Sequence, residues 1–316
     1  MTLPANATLA DVGEFGLIAA LTERFEQGPQ VLLGPGDDAA VVAVRDGRVL
    51  VSTDLHVEAR HFRRDWASAS DIGHRVAAAN LSDINAMGGR ATALTVGLAA
   101  PPDLPAAWAI ELADGIAAEC ALVGASVIGG DLTSADQVMI AVTVLGEVAA
   151  DPVRRSGARP GDLVALVGRQ GWAAGGLAVL TRGFRSPRKL VDAYRRPEPP
   201  YDAGRQAAAL GATSMIDVSD GLLADVGHLA EASGVGVDVR TSSFEVAEPL
   251  QAVGAALGAD PLRFILAGGD DHGLVATYPA GTLLPTGWMR IGEVVEGSGV
   301  TVDGAAWEGP TGHLHF

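Results

Sequence analysis

The sequence predicts two mixed α/β domains, of α/β or α+β type, spanning 1–149 and 150–316. Three observations lead there. Helix-period and strand-type runs alternate along the whole chain, the pattern of layered architectures that combine helices with sheets. The 316 residues, 48% of them hydrophobic, supply material for about two cores of ordinary size. Residues 149–161, rich in Pro, Gly and Arg, interrupt the alternation near the middle and mark the boundary.

Taken in order, residues 12–26 carry Phe15, Ile18, Leu21 and Phe25 on one stripe and predict a helix. Runs 39–45 and 48–53 read as strands, and Asp46-Gly47 between them predicts a hairpin turn. A helix follows over 70–87, closed by Gly88-Gly89, then a strand at 93–98. Residues 105–123 place Trp108, Leu112, Ile116 and Val123 near one helical face, and strands follow at 126–129 and 138–148. The second half predicts strands at 163–167, 214–218, 235–239, 273–277 and 289–294, helices at 172–182, 201–210 and 220–232, and a loop at 195–200. No short repeat period runs through the chain.

The formal charge is −16, from 22 Lys and Arg against 38 Asp and Glu. Such a surface repels phosphate backbones, so nucleic acid is not an expected partner. Cys120 is the single cysteine; no intrachain disulfide forms, which suits a reducing cytoplasm. Its apolar run, Cys120-Ala121-Leu122-Val123, predicts a buried structural thiol. Residues 1–6 lack the basic and apolar regions of a signal peptide. The longest charge-free span, 272–289, contains Pro279 and Pro285, so no membrane-spanning helix is expected. His228 is expected in the core, with a supporting partner of the site as the alternative.

The acidic residues gather at strand and helix ends beside glycine or small hydroxyl residues. They stand in Gly36-Asp37-Asp38, Ser52-Thr53-Asp54, Gly129-Gly130-Asp131, Asp217-Val218-Ser219-Asp220-Gly221 and Gly268-Gly269-Asp270-Asp271. Each alone is also explained by turn or capping chemistry, and Asp220 would cap the following helix. Asp83 differs, since it stands mid-helix between Leu81 and Ile84, where aspartate has poor propensity. Asn80, three residues earlier, shares its face, so the helix is expected to present an amide and a carboxylate to one point. Two carboxylates about 4 Å apart repel by ~4 kcal/mol at an effective dielectric of 20. A converging set therefore calls for cations, and aspartate oxygens suit Mg²⁺ that bridges to phosphates. His and Cys are too scattered for zinc.

The usual phosphate devices are missing. Lys189 is the single lysine and follows Ser186-Pro187-Arg188, so there is no P-loop and no protein-kinase signature. Gly34-Pro35-Gly36 is too short for a dinucleotide fingerprint. Phosphate charge would then fall to Mg²⁺ and to arginine. Arg155 and the cluster His61-Phe62-Arg63-Arg64 are candidates, with solvated loop charges as the alternative.

The ordered set of these motifs, with Arg155-Ser156-Gly157-Ala158-Arg159-Pro160-Gly161-Asp162 added, resembles the thiamine-monophosphate kinases. The wider superfamily includes aminoimidazole ribonucleotide synthetase, selenophosphate synthetase and a hydrogenase maturation factor. The resemblance runs from Gly13-Glu14-Phe15 to Trp307. It implies an N-terminal domain that binds ATP and magnesium and pairs its strands with a second subunit's in a dimer barrel, followed by an α+β domain. It implies transfer of the γ-phosphoryl group of ATP to thiamine monophosphate. Several Mg²⁺ ions are expected on Asp38, Ser52, Thr53, Asp54, Asp83, Asp131, Asp217 and Asp220, with Asp54, Asp83 and Asp131 carrying the transfer. Nucleotide contacts carry over onto Gly130, Asp131, Arg155 and Ser219, and substrate contacts onto His61, Asp270 and Trp307. Trp307 would stack on the cationic thiamine; without the resemblance it reads equally well as a core anchor.

The chain departs from the family where Gly268-Gly269-Asp270-Asp271-His272 replaces Gly-Gly-Glu-Asp-Tyr, which leaves the roles of Asp270 and His272 open. A phosphate acceptor, already ionised, needs no strong base, so direct in-line transfer by positioning and charge neutralisation is the expected mechanism. Two rival readings are another ATP-using enzyme of the superfamily and a divalent-metal binding protein without catalysis. Selenophosphate synthetase is disfavoured because no Cys or Lys precedes Cys120. An aspartyl-phosphate phosphatase is disfavoured because Asp217-Val218-Ser219-Asp220 lacks D-x-D spacing.

Overall fold

The computed structural model describes residues 7–35, 39–44 and 47–313, arranged in two compact units. Asp38 and the turn residue Asp46 lie outside the described residues. The first unit takes in Met1–Ile84 and Gly89–Ala149, the second Asn85–Gly88 and Ala150–Phe316.

The first unit starts with helices α1 (Leu9–Val12) and α2 (Glu14–Thr22) and strands β1 (Val31–Leu33) and β2 (Val41–Val42). After these come β3 (Leu50–Val57), α3 (Ala69–Ala86), β4 (Arg90–Ala100), α4 (Ala106–Val123), β5 (Ser126–Ser134) and β6 (Met139–Glu147). The single helix expected over 12–26 is broken at Gly13, whose φ of 71° no α-helix accommodates. The expected hairpin turn at Asp46-Gly47 falls partly outside the described residues, and among the described residues the two strands it would join do not pair with each other. β2 pairs instead with β1, and β3 pairs along its whole length with β6, from Leu50↔Gly146 to Val57↔Met139. A local turn signal is outweighed by a complete eight-residue ladder with a distant strand.

The main sheet runs β3-β6-β4-β5, antiparallel except for the parallel β4–β5 pair, which α4 joins as a crossover. Its alternation sorts the two faces. Ile140, Val142 and Val144 of β6 are wholly buried, whereas Val51 and Leu55 of β3 are more than half exposed on the other side. Helices α3 and α4 approach backbone to backbone at Gly73 and Gly115. A Cβ on Gly115 would stand 2.1 Å from the Ser70 carbonyl oxygen, so only glycine fits. Cys120 is buried here as expected. Burial, reinforced by Glu119, pushes its thiol up to about 12, far from any nucleophilic form.

The second unit opens with β7 (Leu163–Val167), α5 (Trp172–Leu180), α6 (Arg188–Arg195), α7 (Ala203–Leu210), β8 (Ser214–Asp217), α8 (Leu222–Ser233) and β9 (Gly236–Val239). It continues with α9 (Glu248–Leu257), α10 (Leu262–Ala267), β10 (Leu274–Tyr278), β11 (Met289–Val295), β12 (Gly299–Val302) and β13 (Ala305–Ala306). The seven strands order as β13-β12-β9-β11-β7-β10-β8. Leu222, Val226 and Leu229 of α8 are 0% exposed and pack on Val164, Ile216, Val237 and Ile291. Each such side chain contributes about 1.5–3 kcal/mol of burial, which fixes α8 and the turn leading into it. His228 departs from the expectation: on α8 it falls off the buried stripe and is exposed.

Candidate active site

In the first unit the mid-helix Asp83 has a partner. Ser52 Oγ of β3 donates to Asp83 Oδ2 at 2.6 Å, so the motifs Ser52-Thr53-Asp54 and Asn80–Asn85 meet in space. A short bond from a hydroxyl to a carboxylate is of the stronger, charge-assisted kind and fixes the Asp83 carboxyl. Asp54 occupies the same row of β3 as Ser52, on the covered face, and is half-buried. Thr53 points to the other face, where its hydroxyl meets that of Thr143 at 2.9 Å. Asn80 lies three residues before Asp83 on the same helix. It is fully buried, and its Nδ2 donates back to Val76 O at 2.9 Å along its own helix.

Asp131 stands apart from this group. The register runs Asp54–Val142–Val96–Gly130 in one row and Leu55–Ala141–Gly97–Asp131 in the next. Neighbouring rows point to opposite faces, so Asp54 and Asp131 lie on opposite faces of one sheet. They also occupy its two edge strands, three interstrand spacings or roughly 14 Å apart. Asp131 is exposed, and a Cβ on Gly130 would stand 1.9 Å from Val96 O, so the approach to it is necessarily glycine. His61 lies in the loop after β3, where its Nδ1 accepts the Val57 N–H at 3.0 Å; this leaves the proton of a neutral ring on Nε2.

In the second unit the acidic motifs do converge. Asp217 ends β8, and Val218-Ser219-Asp220-Gly221 turns the chain into α8. This turn runs against Gly269–Gly273. Asp270 N–H donates to Ser219 O at 2.9 Å, and His272 N–H donates to Val218 O at 3.1 Å. His272 Nδ1 lies 3.1 Å from Asp217 Oδ2, both side chains buried, so the residue that replaces the family tyrosine engages a carboxylate. Asp271 is buried and accepts the Ala173 N–H at 2.9 Å at the start of α5. Burial pushes its carboxyl up to about 6; the N–H groups of Ala173 and Gly171 oppose the rise, Asp270 adds to it and His272 opposes it.

Asp225, a residue that sequence reasoning missed, sits under the turn. Its Oδ2 accepts N–H bonds from Ser219, Asp220 and Gly221 at 3.0, 3.1 and 3.0 Å. Burial pushes its carboxyl up to about 7 despite the Gly221 bond, with Asp217 and Asp220 adding repulsion. The available signal was an acidic residue in the first turn of a helix that follows a glycine. Asp220, Asp225 and His228 each offer one ligand atom within 4.8 Å of the others.

The C-terminal segment closes over this turn. His313 N–H donates to Asp220 O at 2.9 Å and Ala224 N–H to Thr311 O at 3.1 Å. Trp307 leads into the segment, packs against the core and donates from Nε1 to Pro310 O at 3.0 Å. Arg155 lies elsewhere. Its carbonyl accepts from Ser233 Oγ at the far end of α8, a helix of 12 residues or about 18 Å from the Asp220 turn. Its guanidinium is exposed.

Two α/β units that each set aspartates at strand and helix ends define a class. The chain matches the AIR synthase related protein N-terminal domain over residues 36–148 and the corresponding C-terminal domain over 159–304. It is 46% identical to a thiamine-monophosphate kinase of Mycobacterium tuberculosis over 98% of this chain and 94% of that one. Among solved structures, AaThiL complexed with AMPPCP and TMP superposes with a TM-score of 0.80 at 30% identity, covering 98% and 99% of the two chains. The thiamine-monophosphate kinase of Stenotrophomonas maltophilia gives 0.79 at 32% identity over 92% and 95%. The chain belongs to the thiamine-monophosphate kinase family of AIR synthase-related proteins.

Proposed function

We propose that the chain transfers the γ-phosphoryl group of ATP to thiamine monophosphate, giving thiamine diphosphate and ADP, by direct in-line displacement. Family membership over almost the whole length carries this reading. Incubation with ATP, Mg²⁺ and thiamine monophosphate, followed by mass spectrometry, should yield thiamine diphosphate and ADP in equal amounts. Absence of thiamine diphosphate at saturating Mg²⁺ would overturn it.

The donors fit magnesium. The Ser52–Asp83 pair and the buried Asp217 beside the half-buried Asp220 are hard oxygen ligands. We infer that Asp38, Ser52, Thr53, Asp54, Asp83, Asp131, Asp217 and Asp220 hold several Mg²⁺ ions, whose chemistry there is to neutralise phosphate charge. Ser52 orients the Asp83 carboxyl, and Asp54, Asp83 and Asp131 serve the transferring phosphoryl group. Gly130, Asp131, Arg155 and Ser219 contact the nucleotide. The distance along α8 supports Arg155 least, and an unchanged KM for ATP in Arg155→Ala would remove it. His61, Asp270 and Trp307 contact thiamine monophosphate.

We propose a homodimer, a reading the first sheet supports. Its open face exposes Val51 and Leu55, and its edge strands carry the two separated aspartates. Closing two such sheets into a barrel would cover that face and leave no free edges. No helix among the described residues is long and apolar enough to cross a membrane. With its one buried thiol, the protein is read as cytoplasmic.

A further inference from the structure

We infer that Asp225 is a positioning residue whose carboxylate sets the shape of the turn presenting Asp217, Ser219 and Asp220. This rests on the reading of Asp217 and Asp220 as metal ligands. Asp225 lies on α8, is 3% exposed, and directs one oxygen at three consecutive backbone N–H groups, those of Ser219, Asp220 and Gly221.

One of the three bonds caps α8: Gly221 is its N-cap, and the helix's unsatisfied donors are the N–H groups of Gly221, Leu222, Leu223 and Ala224. One of them, Ala224 N–H, goes to Thr311 O. The other two bonds, from Ser219 and Asp220 N–H, reach past the helix start and tie down the segment ahead of it. Successive N–H groups around one oxygen form a nest of the kind that elsewhere receives a phosphate or other anion. Here the chain's own carboxylate fills it.

The carbonyl side of the same turn is held separately. Ser219 O accepts from Asp270 N–H and Asp220 O from His313 N–H. The turn is thus gripped through its donors from below and its acceptors from outside.

The position of the acceptor oxygen, rather than its charge, is then what matters. Asp225→Asn keeps an acceptor in place and loses the charge. Asp225→Glu keeps the charge and moves the oxygen by one methylene. Three readouts apply to both: the Mg²⁺ concentration for half-maximal activity, calorimetric binding of Mg²⁺ with AMPPCP, and the melting temperature. Asp225→Glu should raise the half-maximal Mg²⁺ about tenfold or more and weaken the calorimetric affinity alike, as loss of a residue supporting metal ligands does. Asp225→Asn should stay within about threefold of the native protein on both.

A lowered melting temperature in Asp225→Glu with native metal dependence would overturn the inference and leave Asp225 a structural residue. Equal losses in Asn and Glu would overturn it in favour of charge. If Glu prevents folding, Asp225→Ser carries the same expectation, because its short hydroxyl cannot span the three donors. Asp217→Asn and Asp220→Asn serve as controls. Unchanged metal dependence in these would refute the ligand reading itself, whereas weakened dependence in them alone would refute the positioning role.

Discussion

Asp271→Asn isolates a buried carboxyl to which no part in the transfer is assigned. Asp271 is 4% exposed, and burial lifts its carboxyl from the ordinary 3.8 to about 6. The folded chain therefore holds this proton more tightly than the unfolded chain. Between pH 3.8 and about 6 the extra proton stabilises the folded state, and that contribution is lost as pH rises. A separation of about two units corresponds to about 3 kcal/mol at pH 8, and to about half of that at pH 5, where only part of the titration has occurred. Asparagine resembles the protonated acid, and its Oδ1 still accepts the Ala173 N–H. Urea denaturation should find the variant more stable than the native protein by about 3 kcal/mol at pH 8 and by about half as much at pH 5. A gap that does not change with pH, or a variant less stable at pH 8, would refute the assignment of the strain to burial of this group.

Other substitutions test the site and the fold. Asp54→Asn and Asp83→Asn should each lower kcat by ~100-fold or more, with melting temperatures close to native; near-native turnover at saturating Mg²⁺ would count against the metal scheme. Trp307→Ala should raise KM for thiamine monophosphate, through loss of a stacking contact of ~0.5–2 kcal/mol, while leaving KM for ATP near native. Because the indole also packs on the core, the melting temperature should fall as well, and equal effects on both substrates would leave Trp307 a packing residue. Gly115→Ala should destabilise by about 1–3 kcal/mol in thermal or urea unfolding, because its methyl would meet the Ser70 carbonyl at 2.1 Å.

What the sequence made legible was the strongly periodic and the local. β7 falls on the expected 163–167, and α3 spans 69–86 against an expected 70–87. The elements missed carry weaker signals. α6 follows Pro187 with a charged run, Arg188-Lys189-Leu190-Val191-Asp192, that resembles a solvated loop, and α9 and α10 lie among Pro and Gly. The turn signal at Asp46-Gly47 is local and points β3 at its sequence neighbour, whereas its partner β6 is set by burial. The site follows the same division. Each acidic motif announces itself, and their order along the chain carries the resemblance. The 2.6 Å contact of Ser52 with Asp83 depends on how a strand and a helix pack, which no spacing encodes. Asp225 was hidden for the opposite reason: an acidic residue in a first helical turn looks like ordinary dipole compensation.

The separation of Asp54 from Asp131 leads to a test of the proposed dimer. Side chains on opposite faces and edge strands of one sheet, roughly 14 Å apart across three strand spacings, cannot grip the same phosphate from one chain. If both serve the transfer, one active site takes Asp54 from one copy and Asp131 from the other. Pure Asp54→Asn and pure Asp131→Asn dimers would then each be inactive, since every site carries one lesion. Random mixing makes half of the dimers mixed, and in those both lesions fall in one site while the other is wild type. Subunits unfolded together and refolded should therefore recover roughly a quarter of native activity. If each site is built from a single chain, every site in the mixture still carries a lesion and no activity returns. Recovery requires exchange between subunits, so the same mixture of two differently tagged chains should also co-purify. Co-purification without recovered activity would keep the dimer and refute the shared site.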